Sequence, residues 1–201
     1  EDIRYSVEGA DYFVNERFNE QLEHLTESNA DSTIFYLGEP SAEMLAVGIK
    51  DSPLKLYGNK LQSKAKKHGF DVKDVKDLPE AIHDPIAIFE GAEDGSFAIL
   101  TELSVGDNNV LATLSVGKGN DVDFNIVSSV YGKYNKNVVG WINKGKTLYV
   151  NKEKALDYLR ISAPIAEAQD KGELNLSASA EKTLDWFAME APKASSQTQQ
   201  E

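Results

Sequence analysis

The chain contains no cysteine at all, which excludes disulfides and thiolate-ligated zinc and fits a reducing compartment. It also has no apolar run of about 18 residues, so no membrane-spanning helix is expected. The opening residues Glu-Asp-Ile-Arg-Tyr-Ser lack the basic and apolar regions of a secretory signal, and none is expected here. There is no phosphate-cradling glycine loop, no nucleophile elbow, no His/His/Asp metal spacing and no internal repeat. No cofactor and no metal are therefore expected.

What is present is ordinary for a globular protein: 201 residues, 41% hydrophobic and 27% charged. One domain of about 150 residues with frayed ends is the simplest reading. The net charge of −12 argues against a generic nucleic-acid coat, because phosphate binding wants positive potential. The charge is uneven, however. Residues 50–76 are net +5 and residues 133–160 net +5, whereas 1–49 and 77–132 are each net −9. Convergence of the two basic blocks on one face would make a local cationic surface; the plainer role of such runs is a solvated helix face.

The hydrophobic pattern implies five parts. Residues 1–9 read as an extended lead-in, and 10–28 as a helix with Phe18, Leu22 and Leu25 inward. Residues 33–37 read as a short strand, and Ser41 as the cap of a helix over 42–47. Residues 59–69 form a basic helix ending at Gly69, with Leu61 and Ala65 inward. Residues 71–76 read as a helical turn, and Pro79 opens another helix. Strands are expected over 86–89, 97–105, 110–116 and 122–130, with turn residues between them. A helix over 137–144, a strand over 147–150 and a helix over 152–159 capped by Asn151 follow. Residues 175–188 read as a helix with Leu184, Trp186 and Phe187, and 192–201 as a disordered tail. His24 and His83 read as surface residues.

The most informative stretch is 121–133. Val122, Phe124, Ile126 and Val130 alternate with Asp123, Asn125, Ser128 and Tyr131, with one slip at Val127. Hydroxyls, an amide, a phenol and the Lys133 ammonium cluster at the end of this strand. Such a set can hold a phosphodiester, or be the solvated face of a sheet.

The resulting fold class is α+β: N-terminal helices packed on one face of a four- to five-stranded antiparallel β-meander. The expected division is 1–30 as lead-in and helix, 31–165 as the main domain and 166–201 as a C-terminal helix and tail.

The segments 56–60, 66–70, 99–103, 124–133, Trp141-Ile142 and 148–155 resemble the phage MuF C-terminal domain family, over roughly residues 33–165. The string 124–133 is the most specific of these. The resemblance implies a barnase/EndoU/colicin/RelE-like nuclease fold, and a module within a larger multi-domain protein of a phage or mobile element. It further implies RNA, tRNA included, as partner, an immunity or partner protein, and action in a bacterial cytoplasm or delivery with a phage particle. Both polar ends of the chain agree with excision from a longer protein.

Metal-free RNA cleavage needs a base for the ribose 2′-hydroxyl, an acid for the leaving oxygen, and donors for the phosphorane. On that basis the catalytic candidates are His68, Glu102, Ser128 and Tyr131, and the substrate-binding candidates are Lys60, Lys64, Asn125, Ser129 and Lys133. His68 titrates near neutrality, although a cation before a helix-ending glycine also suits the helix dipole. The chain departs from the resemblance in arginine: Arg4, Arg17 and Arg160 are the only ones, none in the meander, so the phosphate role falls to lysine. Three functions are consistent with the sequence: a ribonuclease toxin or effector domain, a non-catalytic protein- or nucleic-acid-binding module, and a transferase-like effector with NAD or a nucleotide as ligand.

Overall fold

The computed structural model describes residues 7–169, with side chains described for 13–160. The expected helix over 175–188 and the tail lie outside the described residues.

The chain opens with α1 (Val7–Glu23), whose Phe18 and Leu22 are buried at helical spacing. The lead-in expected to run extended to residue 9 is thus already helical from Val7. After β1 (Ile34–Tyr36), the Ser41 hydroxyl accepts from the Met44 amide at 3.3 Å and starts α2 (Ala42–Ala46). Next comes β2 (Leu54–Tyr57), which leads directly into α3 (Gly58–His68). α3 ends where Gly69 takes the left-handed conformation, φ 70°, that a glycine adopts without steric cost. A single 3-10 turn over Val72–Val75 precedes α4 (Leu78–His83).

Four strands follow, β3 (Ala87–Glu90), β4 (Phe97–Val105), β5 (Asn108–Val116) and β6 (Asn125–Lys133), each antiparallel to the next. The chain then forms α5 (Asn135–Asn143), β7 (Thr147–Val150) and α6 (Lys152–Gln169). Asn151 caps α6, its Oδ1 accepting from the Lys154 amide at 3.1 Å. This helix runs ten residues past the expected end at 159, through the expected domain limit at 165.

The fold is α+β, but two expectations need correction. The sheet is not a four- to five-stranded antiparallel meander. It has seven strands in the order β1-β2-β6-β5-β4-β3-β7, and it is mixed, because β2 pairs parallel with β6 through Leu54–Asn125 and Lys55–Ile126. β2 is only four residues long, and nothing local in a short strand announces a parallel partner some 70 residues away.

Nor do the helices lie on one face. Leu54, Leu56, Ile88, Ile99, Val110 and Ala112 meet Phe18 of α1, Leu61 of α3 and Ile82 of α4 in one core. Ala87, Phe89, Ala98, Leu100 and Leu111, the alternate residues of the same strands, meet Val138 and Ile142 of α5 and Ala155, Tyr158 and Leu159 of α6 in a second. Period-two alternation with apolar residues on both faces requires a helical cover on both.

Candidate functional site

The site is built at the far end of β6, and its geometry depends on one extra residue. β6 pairs with β5 through Ser129–Thr113 and Val127–Leu114, so Ser128 is inserted as a β-bulge. The bulge explains the slip in the sequence pattern. Val127 and Val130, an odd number of residues apart, both reach the first core, while Tyr131 packs against the second. It also reverses the expected facing at the start of the strand: Asn125 is 1% exposed, whereas Ile126 is half-buried and Val122, expected in the strand, lies outside it and is 51% exposed.

β2 flanks only the first residues of β6. From Gly58 onward the chain becomes α3, which packs along β6. Gly58 permits this junction: a Cβ there would stand 2.9 Å from the Ala30 carbonyl oxygen. α3 buries Leu61 and Ala65 and carries His68 in its last turn. The His68 ring stacks on Tyr131, centroids 4.5 Å apart and planes 11° from parallel. Lys133 lies two residues beyond, with Nζ 3.5 Å from the Tyr131 hydroxyl, 5.6 Å from the Tyr131 ring centroid and 4.8 Å from the Trp141 ring centroid on α5. Trp141 is held in turn against Phe89, centroids 5.5 Å apart.

His68 is an exposed residue, but stacking removes water from one ring face. This dehydration, joined by the charges of Lys67, Lys64 and Lys133, holds its pKa below the ordinary histidine value. The imidazole is therefore mainly neutral at pH 7 and able to accept a proton. Lys64 and Lys67 come from the first basic block of the sequence and Lys133 from the second, so the two blocks converge around one histidine.

The other candidates are placed as follows. Lys60 is exposed one helical turn before Lys64. Ser128 is exposed at the bulge, its Oγ 3.0 Å from the Thr113 hydroxyl, and Ser129 is half-buried opposite Thr113. Glu102 is engaged elsewhere: its carboxylate pairs with Lys154 at 2.5 Å, and Lys154 also pairs with Asp84 at 2.8 Å. β5 lies between its strand and that of Tyr131. Asn125 donates both amide hydrogens, at 2.8 Å each, to the carbonyls of Lys50 and Ser52, pinning the entry of β2 to β6. Two facing carbonyls fix the amide orientation, and Oδ1 is left buried without a hydrogen-bond partner. His24 is exposed, as expected, but His83 is half-buried, with Nε2 2.7 Å from the Leu37 carbonyl.

Sequence reasoning missed Lys67 and Trp141. Lys67 follows Lys64 by three residues on one helix, a spacing visible in the sequence that places both on one side of α3. Trp141 read as one more apolar residue of a core helix. Among the described residues, no three or more His, Cys, Asp or Glu side chains form a group able to hold a metal ion. No helix among them is long and apolar enough to cross a membrane.

Residues 59–157 match the family model described as the phage MuF C-terminal domain. The matched segment begins in α3 and ends in α6, so it contains every residue of the His68 cluster and leaves out α1, β1, α2 and β2. The match supports kinship of this segment with that family. No curated protein and no solved structure matches the chain.

Proposed function

We propose that this chain is a metal-independent endoribonuclease domain, a toxin or effector module of a phage or mobile-element protein. The observation that carries the reading is the stack of a neutral, exposed-edge imidazole on Tyr131, with three ammonium groups around it. His68 takes the proton of the ribose 2′-hydroxyl. The 2′-oxygen attacks phosphorus, and the P–O5′ bond breaks. The Tyr131 hydroxyl protonates the leaving 5′-oxygen, and the proton taken up by His68 returns through water to the Tyr131 phenolate, which restores both groups. Lys64, Lys67 and Lys133 offset the charge gathering on the phosphorane, where fixed cations act most strongly. The products are a 2′,3′-cyclic phosphate and a 5′-hydroxyl. In this scheme Ser128 and Ser129 contact the backbone of a longer substrate, and Lys60 extends the cationic edge.

The test is cleavage of total tRNA in EDTA by the wild type, His68→Ala and Tyr131→Phe. Cleavage by the wild type that falls a hundredfold or so in His68→Ala supports the reading. No cleavage at micromolar protein, or equal cleavage by all three, sinks it.

A second reading, a non-catalytic binding module of a larger protein, has its own support. Glu102, the carboxylate expected to act as base, is paired with Lys154 on a strand separated from that of Tyr131 by β5. Under that reading the cationic cluster binds RNA, or a partner or immunity protein, without turning it over.

A further inference from the structure

The charges of α3 are sorted between two flanks. At about 3.6 residues per turn, Lys67, Lys60, Lys64 and His68 follow one another around the helix within an arc of roughly 100°. Leu61 and Ala65 lie next to that arc, on the buried face. Lys66 and Asn59 lie on the other side of the helix, and two carboxylates meet them there. Glu27 pairs with Lys66 at 2.7 Å, and Asp31 accepts from Asn59 at 3.3 Å. Lys60, Lys64 and Lys67 have no carboxylate partner among the described residues.

Helix physics accounts for only part of this pattern. Lys66, Lys67 and His68 are in the last turn, where cations suit the helix dipole. Lys60 is in the first turn, where no acidic residue accompanies it and a cation opposes the dipole. Lys64 follows Lys60 by four residues, a spacing at which like charges repel. The chain carries 33 acidic residues against 21 lysines and arginines, so a shortage of acids does not explain the unpaired flank.

We infer that this flank is a ladder for the phosphates of single-stranded RNA, running from the His68–Tyr131 centre along α3 to Lys60. The inference rests on the ribonuclease reading only for the phosphate held at His68. It adds the substrate class: a strand that continues for several nucleotides to one side of the cut, in place of a dinucleotide or a cyclic mononucleotide.

Helix geometry gives the scale. Lys60 lies eight residues before His68, roughly 12 Å along the axis. That is the length of three or four stacked nucleotides at about 3.4 Å each. The ladder stops beyond Lys60. Tyr57, the residue before α3, donates to Asp121, and Asp121 also pairs with Lys55 at 2.9 Å, so Lys55 adds no net charge there. Ammonium groups bind phosphate as point charges, so the ladder holds the backbone and reads no base.

The experiment uses the full chain and fluorescent 2′-O-methyl oligonucleotides of two and twelve uridines, which lack the attacking hydroxyl. Anisotropy reads affinity between about 50 and about 200 mM salt. Lys60→Gln is expected to weaken binding of the longer strand about fivefold at about 0.1 M salt, and to reduce the slope of log affinity against log salt by about 0.7, the share of one phosphate contact. Lys60→Arg, which keeps the charge, should restore both. Lys66→Gln removes the same charge from the same helix and should bind like wild type, because its ammonium is on the other flank and paired with Glu27. Equal effects of Lys60→Gln and Lys66→Gln would mark a diffuse electrostatic attraction and overturn the ladder. So would an equal loss on the dinucleotide and the longer strand, or a wild type that binds neither at the lowest salt. If tRNA is not cleaved but Lys60→Gln and Lys66→Gln differ as expected, the ribonuclease reading falls and the ladder stands; cleavage of tRNA with the two variants alike gives the reverse.

Discussion

His68, on the last turn of α3, and Tyr131, on β6, lie 63 residues apart in the sequence, yet their rings are stacked at 4.5 Å. Had they fallen on opposite faces of the sheet, the site inferred from the sequence would have had no common centre. The stack arises because β2 is too short to flank all of β6, so α3 takes its place at that edge.

The depressed pKa of His68 has a sign that can be checked. Burial against Tyr131 comes first, and Lys67, Lys64 and Lys133 add repulsion of the protonated ring. Lys133→Ala or Lys64→Ala should move the titration up toward the ordinary value of about 6.5. NMR of the imidazole proton, assigned against His68→Ala, reads it. Because the folded pKa lies below the unfolded one, the unfolded chain binds more protons between the two. His68 therefore lowers stability as pH falls from about 6.5 through the folded value, and not above it. The acid limb of kcat/KM for RNA should lie below 6.5 for the same reason.

Glu102→Gln should leave RNA cleavage near wild type. The carboxylate is more than half exposed and serves Lys154, and an exposed ion pair contributes about 0–1 kcal/mol. A loss of a hundredfold or more in kcat, with an unchanged melting temperature, would return Glu102 to the reaction.

Asn125→Ala should cost about 1–3 kcal/mol of stability, since it removes two hydrogen bonds and takes this donor from the buried Ser52 carbonyl, while the Lys50 carbonyl keeps the Ser52 amide. Urea unfolding measures it. RNA affinity of the folded fraction should change little, because the amide faces the Lys50–Ser52 loop and is 1% exposed.

Asp77 links α1 to α4. Its carboxylate accepts from Asn15 at 2.9 Å and Asn19 at 2.7 Å, and its amide donates to Asn19. Its φ of 67° is the one positive value at a non-glycine among the described residues. Asp77→Ala should cost about 2–3 kcal/mol from the lost bonds and the strained backbone. The bonds from Asn19 and Asn15 hold the Asp77 pKa below its ordinary 3.8. The stabilisation is complete above 3.8 and lost as pH falls through the lowered value, which acid unfolding of wild type and Asp77→Asn would separate.

Local physics made much of this fold legible. Ser41, Gly69 and Asn151 are cap residues whose chemistry acts within a few positions, and each ends or starts a helix as expected. The four strands from β3 to β6 were readable from alternation and from turns such as that at Gly95, φ 77°. β2 was missed although Leu54 and Leu56 alternate with Lys55 and Tyr57, because four residues carry little pattern.

The site was legible in composition and not in arrangement. The residues 121–133 announced a polar strand end, and the basic blocks announced cations that could meet. Which of them meet depends on the bulge at Ser128, which turns Tyr131 and Lys133 to the α5 side, and on a parallel pairing that stops short and admits α3. The sequence by itself determined the α+β class, the main helices and most strands, because caps, turns and periodicity are local. Only the tertiary structure decided that His68, Tyr131 and Lys133 share one place while Glu102 and Asn125 serve elsewhere, because strand order and register are set by packing between distant segments.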